Sequence, residues 1–135
     1  MGFAVKDALL KVTKALPNGA ATVYSDGLDL GHGTRGDFLA KAEVKVSGPA
    51  LTTTQQPNAK TLIYSIQHGD DPAFGDVADL YPNVLTQTGA GGAGCVAAAF
   101  VARLPVDVKR YVRVKAVGSA TGDASASNLT FEVLL

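Results

Sequence analysis

The 135-residue sequence predicts a single all-β domain, an antiparallel sandwich or barrel. Apolar and polar residues alternate with a period of two in several runs, which is typical of strands with one buried face. Gly and Pro, 15 and 6 in number, interrupt these runs at short intervals as turn residues do. The sequence shows no alternation of helical and strand patterns, so a parallel α/β sheet is not expected.

Four runs predict strands most clearly, and two further segments are predicted as strands on weaker signals. The run 95–104 is rich in alanine, which favours a helix, but its valines and phenylalanine tolerate a strand. Because its neighbours are predicted strands and a sheet needs partners, we predict a strand there, ended by Pro105. The clear runs are 41–46, 61–67, 111–116 and 129–135, and the segment 21–24 is the other weaker one.

The N-terminal segment 3–16 has a different pattern. Its apolar residues Ala8, Leu9, Val12 and Leu16 have helical spacing, and Pro17-Asn18-Gly19 follows them. An amphipathic helix and an extended arm that orders only on a partner both fit this pattern. The predicted organisation is therefore an N-terminal arm or short helix over 1–19 and a β-sandwich domain over 20–135.

Charge and composition limit the classes of partner. Lys and Arg number 12, and so do Asp and Glu, which gives a formal net charge of zero. Nucleic-acid binding proteins usually carry a basic excess, so we expect no nucleic-acid partner. A neutral chain is compatible with self-association. We also expect no membrane span and no signal peptide, because no apolar run is long enough, and hence synthesis in the cytoplasm.

The residues that could carry chemistry form no convincing site. Gly89, Gly91 and Gly94 match a dinucleotide-binding fingerprint, but the strand, helix and acidic residue that this motif requires around it are missing. A flexible loop, or a surface that another backbone approaches closely, explains these glycines better. Cys95 is expected to be a small buried core residue rather than a nucleophile.

The two histidines are expected to be solvated turn residues. His32 has Asp29 nearby and His68 precedes Asp70 and Asp71, but neither group has the close ligand spacing of a zinc or calcium site. We therefore expect no catalytic, cofactor-binding or metal-binding residues, and no cofactor.

The charges are unevenly distributed along the chain. Two solvated surfaces explain this pattern, and so do complementary patches that join subunits or a lattice. Arg110 and Tyr111 belong to types enriched at interface hot spots, although Tyr111 could instead cap the core and Arg110 could pair with a loop carboxylate. The candidate interface residues are Arg110, Tyr111, Arg113, Asp76 and Asp79. The stretch 69–82 contains Asp70, Asp71, Asp76 and Asp79 and no basic residue, whereas 103–115 contains Arg103, Lys109, Arg110, Arg113 and Lys115 against Asp107.

Three stretches of the sequence, in this order and spacing, resemble a family of small bacteriophage head decoration proteins, also called capsid cement proteins. Their order and spacing together cover most of residues 20–135; the N-terminal segment and the alanine-rich stretch 89–102 depart from the family pattern. The stretches are Tyr24-Ser25-Asp26-Gly27-Leu28-Asp29-Leu30-Gly31, Gly36-Asp37-Phe38-Leu39 before the strand 41–46, and Leu104-Pro105 followed by Lys109-Arg110-Tyr111-Val112-Arg113-Val114.

The resemblance implies a jelly-roll-like β-sandwich without catalytic residues, on the capsid surface of the virion. It also implies major capsid protein as the partner, with pairs or trimers of the decoration protein bridging its subunits. A carbohydrate- or surface-binding sandwich is the alternative, although the chain has no Trp to line a sugar site. A small enzyme on a sandwich scaffold is a third hypothesis, without a convincing histidine or carboxylate cluster.

Overall fold

The computed structural model describes residues 11–30, 42–105, 107–119 and 122–134, and within these ranges it contains nine strands and no helix. In the same ranges there is no helix that could cross a membrane. The strands are β1 (Lys11–Ala15), β2 (Thr22–Tyr24), β3 (Leu28–Asp29), β4 (Glu43–Gly48), β5 (Thr61–Gly69), β6 (Ala78–Thr88), β7 (Ala98–Arg103), β8 (Tyr111–Gly118) and β9 (Asn128–Leu134).

The strands form two antiparallel sheets, with orders β1-β9-β4-β7 and β2-β8-β5-β6, and β3 also pairs with β8. The pairing is that of one long hairpin whose bend lies between β5 and β6. Along its arms β4 pairs with β7, β2 and β3 with β8, and β1 with β9. This hairpin is rolled up so that β4 also pairs with β9 and β5 with β8. A hairpin rolled into two sheets is a jelly roll, so the predicted fold class is confirmed.

Alternation along the inner strands places the core between the sheets. In β8, Val112, Val114 and Ala116 are fully buried while their neighbours are partly exposed. Strands β4 and β9 repeat this pattern, with Val44, Val46, Leu129, Phe131 and Val133 as their buried residues. The sequence pattern predicts these buried faces because successive side chains of a strand point to opposite sides.

Most of the predicted strands are confirmed, but the longest one was missed. The four clear runs correspond to β4, β5, β8 and β9, and the two weaker ones to β2 and β7. Strand β6 was not predicted because Pro82 and a register shift against β5 interrupt its alternation. Asn83 has a φ of 50° there, which bulged strands tolerate.

The prediction of an N-terminal helix is wrong for the part of the segment 3–16 that the structure describes. Lys11–Ala15 form β1, which pairs with β9 along its whole length. The sheet therefore begins inside the segment 1–19 that was assigned to an arm or short helix, because β9 offers hydrogen-bonding partners that the local spacing does not reveal. Residues 1–10 of the predicted arm, the stretch 36–39 of the resemblance and His32 lie outside the described residues.

Candidate functional site

The predicted interface residues gather on the outer face of the β2-β8-β5-β6 sheet and in the loop beside it. In β8, Tyr111 and Arg113 point outwards because Val112 and Val114 point into the core. Arg113 lies opposite Gln67 of β5, and Gln67 lies opposite Asp79 of β6. Asp76 belongs to the loop between β5 and β6 and contacts Lys109, next to Arg110. The rolled pairing thus brings together residues that are far apart in sequence.

Arg113 is the centre of this face. Its guanidinium carbon lies 4.1 Å from the ring centroid of Tyr24 and 4.3 Å from that of Phe74, so the cation contacts two aromatic rings. Tyr24 is 43% exposed, whereas Phe74 is buried and has a φ of 59°. Burial lowers the pKa of Arg113 from its ordinary value, and the guanidinium stays charged because that ordinary value is so high.

A hydrogen-bonded row crosses the sheet from Arg113 to Asp79. The Arg113 Nε donates to Gln67 Oε1 at 3.0 Å, and Gln67 Nε2 donates to Asp79 Oδ1 at 3.0 Å. Gln67 is buried, and both ends of its amide are used. This row links side chains of three neighbouring strands within the chain. We name Tyr24, Gln67, Phe74, Asp79 and Arg113 the arginine face.

Arg110 pairs with a carboxylate of its own chain. Its Nε and Nη2 donate to the two carboxylate oxygens of Asp29 at 2.8 and 3.0 Å, a bidentate geometry. This hydrogen bond raises the pKa of Arg110 above its ordinary value. The guanidinium also lies 5.1 Å from the ring centroid of Tyr111, so Arg110 covers part of a ring that remains partly exposed.

The loop between β5 and β6 is held by its own carboxylates. Asp76 accepts the backbone N–H groups of Asp70 and Asp71, and Asp71 accepts those of Ala73 and Gly75. The backbone donors of Asp70 and then Asp71 lower the pKa of Asp76, since they stabilise its charged form. The predicted acidic stretch is therefore a structured turn rather than a set of independent surface charges.

The acidic and basic stretches meet within one chain. The Lys109 Nζ lies 3.7 Å from Asp76 Oδ2, and the Arg110 backbone N–H donates to Asp70 Oδ1 at 3.1 Å. Part of the complementarity that the sequence suggested between subunits is thus used inside the fold. Of the candidate residues, Asp79 accepts a hydrogen bond from Gln67 and Tyr111 lies against the Arg110 guanidinium, and both keep part of their side chains exposed.

His68 is a strand residue, which corrects its expected position in a solvated turn. It belongs to β5 and its Nδ1 accepts the Lys109 backbone N–H at 3.1 Å. Burial, then the positive charge of Lys109, lowers the pKa of His68 below 6.5, against the opposing effects of Asp107, Asp70 and Asp76. The neutral ring is the form that can accept this hydrogen bond.

We expect the fold to lose stability as the pH falls below about 6.5, the unfolded pKa of histidine, because the unfolded chain then binds a proton that folded His68 resists. In His68→Asn the Oδ1 takes the place of Nδ1 but does not titrate. Urea unfolding at pH 7 and pH 5.5 should show a smaller difference for the variant than for the parent. Equal differences in the two proteins would contradict this role of His68.

The glycine-rich stretch forms the loop between β6 and β7, and two of its glycines touch other backbones. A Cβ on Gly89 would overlap the Pro57 carbonyl oxygen, and one on Gly94 would overlap that of Leu51. The interpretation as a surface that another backbone approaches closely is therefore confirmed.

Cys95 is partly buried beside this loop, rather than fully buried as expected, and it packs against the core. It contributes to the wall of a pocket of about 280 Å³ that Thr86, Ala90, Ala93 and Ala98 also line. Burial raises the pKa of its thiol, which is opposite to what a nucleophilic thiolate needs. Within the described ranges no three His, Cys, Asp or Glu side chains form a group that could hold a metal ion.

Sequence reasoning missed the residues that hold the candidate ones in place. No sequence pattern marks these residues as partners of Arg110 and Arg113. They are Tyr24, Asp29, Gln67 and Phe74. Asp29 is 81 positions from Arg110, and its contact depends on the pairing of β3 with β8. A sequence signal for such a contact would need the register of the rolled hairpin.

Comparison with known proteins gives a remote likeness in structure. No family model and no curated protein matches the chain. Among solved structures, a chain of the Cowpea mosaic virus top component, described as naturally occurring empty particles, is similar with a TM-score of 0.41 and 9% sequence identity. The match covers 92% of this chain and 78% of that chain. A likeness this remote assigns neither a family nor a function.

Proposed function

We propose that this chain is a structural virion protein that decorates the outside of a tailed-phage capsid and bridges its major capsid protein subunits. The observation that carries the proposal is that two of the three stretches resembling head decoration proteins contribute to the candidate surface. Residues 24–30 provide Tyr24 and β3, and residues 109–114 provide the start of β8. A jelly roll suits this role, as it does viral capsid domains in general.

The preorganisation of this surface supports the proposal. Arg113 and Asp79 are both bonded to Gln67, and Arg110 is bonded to Asp29, so little side-chain freedom remains to be lost on binding. Arg and Tyr are enriched among the residues that contribute most to interfaces. A rigid surface of this kind is suited to a seam between capsid subunits, where a mobile one would lose affinity on ordering.

Repetition over a lattice supports the same role. A modest apolar contact contributes about 25 cal/mol per Å² of buried area, less the cost of ordering. If the protein is a homo-oligomer, a dimer or trimer, each unit engages several capsid subunits and gains avidity. The zero net charge of the chain permits such close association of copies. Catalysis has no part in this function.

Co-sedimentation with phage heads that lack the protein tests the proposal. We expect saturable binding at a fixed ratio to the major capsid protein. Tyr111→Ala should weaken it by about 30-fold, the ~2 kcal/mol of a hot-spot residue, because its partly exposed ring is lost from the candidate surface. Val117→Ala is the matched control, on the same face of β8 at the strand's other end.

The result has three separable outcomes. Equal binding of both variants would remove Tyr111 from the interface. A Tyr111→Ala chain that fails to fold would instead assign the ring a structural role. No binding of the folded parent to expanded heads would overturn the proposal as a whole.

A glycan-binding module is the second candidate, because lectin domains share the jelly roll and because Tyr24 exposes 43% of its surface on the arginine face. Arg113 already occupies the neighbourhood of that ring, at 4.1 Å from its centroid. A glycan array on the purified chain separates the two functions. Specific glycan binding that Tyr24→Ala abolishes, without head binding, would favour the module.

A further inference from the structure

The edges of the two sheets are unequally protected. Unpaired edge strands invite pairing with another chain, and proteins usually blunt them with lysines, proline, bulges or short length. Strand β1 carries Lys11 and Lys14, and β2 has three residues. Strand β6 carries Pro82 and a shifted register. Each of these three edges therefore has a device that discourages pairing.

Strand β7 has no such device between its ends. Its sequence from Ala98 to Ala102 contains neither charge nor proline, and its register against β4 is continuous. Ala99 is exposed, and Val101 is 48% exposed. Val96, just before the strand, is 80% exposed. An apolar, flat edge with exposed valines is the kind that pairs with another strand.

The hydrogen-bonding pattern between β4 and β7 shows which backbone groups of β7 point away from the sheet. The Leu104 N–H donates to the Ala42 carbonyl at 3.1 Å, and hydrogen-bonded pairs alternate along an antiparallel ladder. The even-numbered residues of β7 therefore bond to β4, and Ala99 and Val101 direct their N–H and C=O groups away from it. The Tyr81 hydroxyl donates to the Arg103 carbonyl, as expected for an odd-numbered residue.

We propose that β7 pairs antiparallel with β7 of a second copy, about a twofold axis beside Phe100. Ala99 then lies opposite Val101 of the partner copy, which gives four backbone hydrogen bonds without using Arg103. Side chains on opposite residues point to the same face, so the two four-stranded sheets become one of eight strands. The inference rests on the proposed function in one respect: it assigns the contact through which the proposed homo-oligomer forms.

A second copy fits this edge because the strand is complementary to itself. In the twofold register Arg103 lies opposite Ala97 of the partner, so the two arginines do not face each other. Ala98 lies opposite Ala102 of the partner, and the two Phe100 residues lie opposite each other at the axis. The neutral chain adds no long-range repulsion between copies. An isologous contact of this kind closes on itself and gives a dimer rather than a filament.

Sedimentation equilibrium of the full chain tests the contact. We expect the parent to reach twice the 13.8 kDa of the chain with rising concentration. Val101→Pro should stay monomeric, because it removes an N–H that bonds outwards while leaving the pairing with β4 intact. Thr13→Pro is the matched control on the opposite edge of the same sheet: Leu16 bonds to Ser127, so Thr13 also directs its N–H outwards. It should remain dimeric.

The variants Val101→Lys and Thr13→Lys repeat the comparison and keep every backbone N–H group. They decide the result if Val101→Pro unfolds. A monomeric parent at all concentrations, or dimers that persist in both Val101 variants, would overturn the inference. A monomeric parent that still binds heads saturably would overturn only the β7 contact. A dimeric parent that β7 variants dissociate, but that binds no heads, would overturn only the proposed function.

Discussion

Gln87→Leu is expected to lower the free energy of unfolding by about 3 kcal/mol, because it leaves several polar groups without partners in a buried site. Gln87 is 3% exposed and uses its whole side-chain amide. Its Oε1 accepts the Tyr64 hydroxyl at 2.6 Å, and its Nε2 donates to the carbonyls of Pro49 and Val96 at 2.9 and 3.0 Å. One side chain thus connects β5, β6, the segment that follows β4 and the segment that precedes β7.

The leucine variant keeps the volume but none of these hydrogen bonds. Tyr64 is fully buried, and burial raises the pKa of its phenol above the ordinary value, so the hydroxyl stays protonated and needs an acceptor. Each buried polar group left unsatisfied costs about 1–3 kcal/mol. Chemical denaturation at neutral pH, with circular dichroism as the signal, measures the loss.

Tyr64→Phe provides the control through a double-mutant cycle. Alone it should cost about 1–2 kcal/mol, since it leaves Gln87 Oε1 without its donor. In the double variant the hydroxyl and its acceptor are both absent, so the total cost should be smaller than the sum of the two single costs. Strictly additive costs would show that the bond between Tyr64 and Gln87 contributes nothing.

Gln87 also illustrates what the sequence can and cannot predict. The alternation in 61–67 places Leu62, Tyr64 and Ile66 on one face, and all three are in the core. Gln87 lies in β6, whose burial pattern lacks a period of two because of Pro82 and the shifted register. Its position in the core depends on the polar groups around it, which no hydrophobic pattern reports.

The same limit applies to the candidate surface. The basic stretch 103–115 and residue type were enough to single out Arg110 and Arg113, since arginine is enriched at interface hot spots. Their partners could not be predicted, because Asp29 and Tyr24 come from the first arm of the rolled hairpin and the arginines from the second. Period-two alternation fixes which face a residue occupies, whereas the register between distant strands fixes what it touches.

Gly94→Ala is expected to lower the free energy of unfolding by about 3 kcal/mol, from two separate causes. Gly94 has a φ of 68°, where a side chain costs about 1–2 kcal/mol. The added Cβ would also overlap the Leu51 carbonyl oxygen, which accepts the Cys95 N–H at 3.0 Å. The overlapped oxygen belongs to the backbone, so it cannot move aside without breaking the β-bridge between Leu51 and Cys95.

Gly92→Ala separates these two causes, since Gly92 has a φ of 78° but no atom within 4 Å of the added Cβ. It should cost only the conformational part, about 1 kcal/mol. Thermal and urea unfolding of the two variants measure the difference. If Gly94→Ala lowers the free energy of unfolding more than Gly92→Ala does, the glycine-rich stretch is needed for close packing of the β6–β7 loop against the segment after β4. Equal losses would mean that the backbones separate at little cost, and the loop would then be held by its turn conformation alone.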